Sequence, residues 1–190
     1  MLIIIGAGGH AKVLYDCIAE QGRMLYACVD LKQQEWLAEL NIKQISQDDL
    51  TSILPNRPEL FIGFVGLDCQ SLQNRVMMMQ EYEKLGAYFT ALIHPASFVS
   101  KKAVLGKGVQ VLPGSVINSG AVIGDCAVIN SGAVVEHGAQ IGKGVHVAPK
   151  SVVLGGAKVG DYSYIASGAV IIQNSVVPPH SYIKELTVHK

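Results

Sequence analysis

The sequence predicts an α/β domain followed by a parallel β-helix. Two patterns predict it: alternation of strand, glycine loop and helix over residues 1–93, and a six-residue period that runs without a slip from Val99 to Ile183. Val99, Leu105, Val111, Ile117, Ile123 and Ile129 set the phase of that period, and Val135, Ile141, Val147, Val153, Val159, Ile165, Ile171 and Val177 keep it. Ala, Ser or Val stands two residues before each apolar position from Ala103 to Ser181, and Gly or Asn often stands three after. No α-helix has such a period; one large inward residue, one small one and one turn residue make the hexapeptide unit of a parallel β-helix. Gly106, Gly124, Gly142 and Gly160 recur every eighteen residues, so three units close one coil and the cross-section is a triangle. With coils stacked roughly 4.8 Å apart, the segment forms a prism of between four and five coils.

The elements before the prism follow in order. Leu2–Ile5 is a continuous aliphatic run, the pattern of a strand buried on both faces of a parallel sheet. It runs into Gly6-Ala7-Gly8-Gly9-His10-Ala11-Lys12, and a helical pattern with Val13, Leu14, Cys17 and Ile18 on one side follows. A strand, a glycine loop and a helix in this order cradle a phosphate. A second strand, 24–29, ends at Asp30, and a short helix carries Trp36, Leu37 and Leu40. Residues 60–65 read as a third strand and 70–85 as an amphipathic helix closed by Gly86. Residues 88–93 read as a fourth strand, and Pro95 marks the passage into the prism. The domains expected are therefore 1–93, a Rossmann-like nucleotide-binding unit, and 94–190, the β-helix.

Composition narrows the function classes. The 190 residues carry 15 basic and 15 acidic side chains, a balance that points away from nucleic acid and membrane surfaces. Four cysteines stand singly, with neither disulfide nor zinc spacing, and read as buried thiols of a reducing, cytoplasmic compartment. The apolar opening is too short for a signal peptide. No two histidines are eighteen or thirty-six residues apart, so none stack in one column of the prism, and a metal site is disfavoured.

Ligands of parallel α/β sheets bind beyond the carboxyl ends of the strands. Gly8, Gly9 and His10 after the first strand, Asp30 and Lys32 after the second, and Gly66 after the third meet at that edge and form the candidate substrate site. The loop fits a dinucleotide fingerprint, with Asp30 where a ribose-binding acid would stand, but one βαβ half suits a mononucleotide such as the UDP of an activated sugar better. A glycine turn serving only strand-to-helix packing is the alternative. In the prism, His137 sits at a corner beside Gly138, where an imidazole can leave the core and take a proton; a solvated corner histidine is the bland reading. His146 points outward from a flat face nine residues on, half of one coil away, so the two could meet only between subunits of an oligomer, most simply a three-fold ring. Gly155 lies one coil above His137 and offers a backbone N–H to a developing oxyanion. Asn130 and Glu136 are outward polar residues near the same corner.

With GAGGHAKV at the start, VD after the second strand, LIHP at the junction and INSGAVVEHGAQIGKGVHV leading the ladder, the chain resembles the bacterial sugar acetyltransferases of the NeuD/PglD type. Within these it is most similar to the UDP-4-amino-sugar N-acetyltransferases of the bacillosamine pathway. The resemblance implies a left-handed β-helix, a homotrimer, acetyl-CoA lying between adjacent prisms, a nucleotide sugar on the N-terminal domain and no metal. It implies that His137 is the general base with Glu136 and Asn130 beside it, that His146, Gly155 and Ser167 contact acetyl-CoA, and that Gly8, Gly9, His10, Asp30, Lys32 and Gly66 hold the UDP-amino-sugar. Relatives carry an acidic residue directly after the base, where this chain has Gly138. Many also end in a GxPAK-like tail, where this chain ends SYIKELTVHK, leaving Lys184 for the far end of CoA. The expected reaction is N-acetylation of a 4-amino-4,6-dideoxy sugar. O-acetylation of sialic acid and a non-catalytic nucleotide-sugar sensor are the alternatives.

Overall fold

The aliphatic run forms β1 (Leu2–Ile5), buried along its whole length, because it lies in the middle of the sheet. A computed structural model describes all residues 1–190. After β1 come α1 (Gly9–Glu20), β2 (Ala27–Val29), α2 (Glu35–Glu39), β3 (Lys43–Ile45), α3 (Gln47–Ile53), β4 (Glu59–Ile62) and α4 (Cys69–Lys84). The sheet is parallel, in the order β3-β2-β1-β4. β3 and α3 go beyond the sequence expectation. β3 is short and half polar, whereas α3 carries a signal: Ser46 and Asp49 form a reciprocal capping box at its start.

The expected fourth strand at 88–93 is corrected. Only Tyr88 bridges to the α/β sheet, at Glu59, while Leu92–Ile93 pairs with Gln110–Val111 as the first rung of the prism. Ile93 stands six before Val99, so the ruler already reached it. The division expected at 93/94 therefore falls just after a rung rather than before it.

Seventeen two-residue rungs, from Leu92–Ile93 to Val188–His189, stack into three parallel sheets of five, six and six strands. The prism thus exceeds the four to five coils expected, because the period extends one unit past each end of the strictly aliphatic run. The partners are eighteen residues apart, as in Val128 with His146 and Ile129 with Val147. Inward residues make one continuous core of 20 buried side chains, large Val and Ile alternating with small Ala. Every sixth residue from 108 to 186 turns a corner at φ between 53° and 72°. Glycine fills most of these corners, but Cys126, Lys150, Tyr162, His180 and Leu186 adopt the same conformation without that freedom.

The α/β domain sits on one face and one corner of the prism. Leu92, Leu112 and Val128 complete the apolar cluster around α1 and β1. Along the corner, α4 lays Met79 against Gly108 and Leu72 and Val76 against Gly144; a Cβ at Gly144 would lie 2.8 Å from Val76. No helix is long and apolar enough to cross a membrane.

Candidate functional site

The glycine loop is held by its neighbours in a way that leaves its upper side free. Asp30 accepts from the N–H of Ala7 (2.8 Å) and of Lys32 (3.0 Å), tying the loop after β1 to the end of β2, and the Trp36 indole donates to the carbonyl of Ala7 (2.9 Å). Gly6 needs its glycine for φ +92°, and Gly63 because a Cβ would come within 2.5 Å of Ile4. Gly8 and Gly9 differ: a Cβ on either would meet nothing within 4 Å, and neither has positive φ. Packing therefore does not demand glycine at these two positions, which weighs against the purely structural reading of the loop. The N–H groups of Gly8, Gly9, His10 and Ala11 have no acceptor in the chain, α1 has no capping side chain, and its first turn contains no acid. Such an end attracts anions. Beside it, at the carboxyl edge of the sheet, Ile5, Gly6, Val29, Asp30, Gln47 and Phe64 line a cavity of about 410 Å³. Lys32 is exposed.

His10 turns down toward the prism. Gln110 donates through Nε2 to the carbonyl of Ile62 (2.9 Å), which fixes its amide so that Oε1 faces His10 Nε2 at 2.7 Å. His10 is then the donor at Nε2, and Nδ1 keeps the lone pair. Burial pulls its pKa down to about 4, with the nearby Arg75 charge adding to the effect against the Gln110 bond.

His146 makes the reciprocal contact. Its ring points out of the prism face, as the period requires, but the α/β domain covers it and leaves it 3% exposed. Nδ1 lies 3.2 Å from the carbonyl of Gly66 and Nε2 lies 2.9 Å from Nδ2 of Asn130. A carbonyl only accepts, so Nδ1 carries the proton and Asn130 donates to Nε2. Burial is the main force lowering the pKa to about 3. Gly66 is a packing glycine as well, since a Cβ would come within 2.6 Å of Ser71 Oγ.

His137 has different surroundings. It is exposed, and its ring lies against Gly155: a Cβ there would stand 2.7 Å from both Cε1 and Nε2. Gly155 does not have a positive φ, so the imidazole alone occupies the place a side chain would take. The N–H of Gly155 has no acceptor in the chain. Glu136 is half-buried next to His137.

Within one chain, the stacking of coils sets two further placements. Asn130 bonds His146, not His137, because its corner borders the sheet that carries His146. Ser167 stands on the same corner as Asn130 two coils on, so within one chain it does not share the column of His137 and Gly155. The sequence reading also missed Gln110, a polar residue in the outward column of Leu92, Val128 and His146, and Arg75, which helical spacing from Leu72 and Met79 puts on the buried face of α4. No three His, Cys, Asp or Glu side chains gather closely enough to hold a metal ion.

Residues 1–71 match the family described as PglD N-terminal domain, and residues 102–137 and 138–173 match bacterial transferase hexapeptide repeats. A PglD-type N-terminal domain is thus followed by hexapeptide repeats. The chain is similar to the acetyltransferase domain of PglB from Neisseria gonorrhoeae, at 26% identity over 100% of this chain and 90% of that one, with a TM-score of 0.88. The same domain in complex with acetyl coenzyme A aligns at 27% identity, covering 95% of this chain and 86% of that one, TM-score 0.85. A variant of perosamine N-acetyltransferase from Caulobacter crescentus, in complex with CoA and GDP-perosamine, aligns at 27% identity over 98% of this chain and 90% of that one, TM-score 0.74. Among curated protein sequences, none matches.

Proposed function

We propose that this protein is an acetyl-CoA-dependent sugar N-acetyltransferase. Its substrate on this reading is the 4-amino group of a UDP-linked 4-amino-4,6-dideoxy-N-acetyl-hexose, used as a precursor of a bacterial glycan. The observation that carries the reading is the seating of His137 on Gly155, an exposed imidazole against an unengaged backbone N–H. The solved N-acetyltransferases of similar fold, with CoA and GDP-perosamine or with acetyl coenzyme A, support the reaction class.

The sugar amine attacks the thioester carbonyl carbon while His137 takes the proton from nitrogen. The N–H of Gly155 donates to the oxygen as it gains charge. The tetrahedral intermediate collapses by breaking the C–S bond, and the thiolate leaves with the proton from the imidazolium. No covalent enzyme intermediate forms. His146 has both nitrogens engaged within the chain, so carbonyl polarisation falls to Gly155, and His146 serves by holding the loop at Gly66. The uncapped start of α1 receives the diphosphate, with Asp30 holding the loop in place and Lys32 at its rim. The protein acts as a homotrimer in the cytoplasm, where a neighbouring prism supplies the other wall for acetyl-CoA near Ser167.

The test is CoA thiol release from acetyl-CoA with UDP-4-amino-4,6-dideoxy-N-acetylglucosamine. Wild type is expected to turn over, and His137→Ala to lose about 10²- to 10⁴-fold. Undiminished activity in His137→Ala would overturn the assigned base. Silence of the wild type with CoA bound would redirect the search to a hydroxyl acceptor; silence without CoA binding would favour a nucleotide-sugar sensor.

A further inference from the structure

Arg75 lies on the buried face of α4 and is 1% exposed. None of its three guanidinium nitrogens has a hydrogen-bond acceptor. Arg23 shows the ordinary arrangement in the same domain, paired with the carboxylate of Glu59. A guanidinium does not shed its proton at physiological pH, and a buried charge without a partner is costly to the fold. Replacing it by an apolar residue of similar length would remove that cost, so its presence calls for a function.

Its position supplies one. Arg75 stands one turn along α4 from Ser71 and Leu72, on which Gly66, the partner of His146, packs, and its charge disfavours protonation of His146 and of His10, in the first turn of α1. His10 itself carries one of the four unengaged N–H groups of the α1 start. His10 is neutral and gives its one N–H to Gln110, and Lys12 and Lys32 are exposed on the surface. Arg75 is therefore the one buried cation at this end of the sheet. The 63–68 loop packs through Gly66 on Ser71 and Leu72, one turn before Arg75; it belongs to no helix or strand, exposes Phe64 and Leu67, and is tied to the prism through the 3.2 Å contact of Gly66 with His146.

We propose that Arg75 is the counter-charge for a diphosphate bound at the start of α1, reached when the 63–68 loop lifts from His146. That the diphosphate is the one joining nucleoside to sugar rests on the acetyltransferase reading above. CoA also carries a diphosphate, and the test separates the two sources.

Calorimetric titration of the full chain with UDP, GDP, inorganic pyrophosphate, uridine and CoA decides it. Wild type is expected to bind UDP or GDP and pyrophosphate, with Arg75→Met weakening these about tenfold or more while leaving uridine and CoA as in wild type. Without ligand, Arg75→Met is expected to melt about 2 to 4 °C higher, the reverse of what a structural arginine would show. Arg75→Lys keeps the charge without the planar fork and is expected to bind UDP with intermediate affinity; it also decides the matter if Arg75→Met does not fold. Equal UDP affinity in wild type and variants, a loss confined to CoA, or no binding of any diphosphate by wild type overturns the proposal. Arg75-dependent UDP binding in a chain that acetylates no amino sugar would sink the acetyltransferase reading and leave the site standing. Acetyl transfer with an unchanged KM for the nucleotide sugar in Arg75→Met would do the opposite.

Discussion

His137 and His146 stand nine residues apart in one ladder, and their surroundings are opposite. His146 is covered by the α/β domain, with both ring nitrogens engaged by Gly66 and Asn130. His137 is exposed on a corner against a glycine. In a prism the environment of a residue is set by the face or corner its position in the period assigns to it, and sequence neighbours say little. One histidine is built into a joint and the other is left exposed.

Acid should break the joint first. The folded-state values of about 3 for His146 and about 4 for His10 lie below the ordinary 6.5, so the unfolded chain binds protons that the folded chain refuses. That stability is present above pH 6.5 and is lost as pH falls towards 4 and then 3. Urea midpoints are expected to fall through this window, with a shallower slope in the double variant His10→Gln, His146→Gln; identical slopes would mean that the rings are not buried in solution. His146→Ala at neutral pH strands the Asn130 amide and the Gly66 carbonyl and is expected to cost about 2–3 kcal/mol. His137→Ala, by contrast, should stay within about 0.5 kcal/mol of wild type in the same urea titration.

Gly155→Ala sharpens the other side of the comparison. The added methyl meets the ring at 2.7 Å, and because the imidazole is exposed it can tip aside without unfolding anything. The expected result is a near wild-type melting curve with acetyl transfer reduced about ten- to a hundredfold, the cost of a misplaced base. Full activity would separate the seat from the chemistry. The smallest effect is expected at an exposed corner. Lys150→Gly relieves a left-handed φ of 63° and is expected to add about 0.5 kcal/mol, the steric relief exceeding the entropy that glycine loses on folding. A thermal melt that moves down instead would show that the Lys150 side chain, lying over Gly132, contributes more than its backbone strain costs.

The repeat was legible in the sequence because its signal is local and recurs: Ile129, Val135 and Ile141 announce three sheets without reference to anything distant. The same rule, followed one unit further to Ile93, would have placed the first rung correctly. The strand Lys43–Ile45 was not legible, since its three residues show neither alternation nor a long apolar run. The candidate residues could be named from the sequence, but their pairing could not. Asn130 finds His146 through the stacking of coils, and His10 finds Gln110 only after two separately folding patterns dock. Arg75 illustrates the limit: helical spacing marks it as buried, but nothing in the sequence says that no carboxylate comes to meet it.

The left-handed corners at every sixth residue from 108 to 186 also bear on how such a chain can change length. Inserting one residue would move every later corner onto a position chosen for the core and turn every later inward Val or Ile outward. Six residues would restore the corners but rotate the remainder by one face, carrying His146 away from Gly66. Only eighteen restore both, so descendants of this chain can grow or shrink within the ladder by whole coils, and its length is inherited in steps.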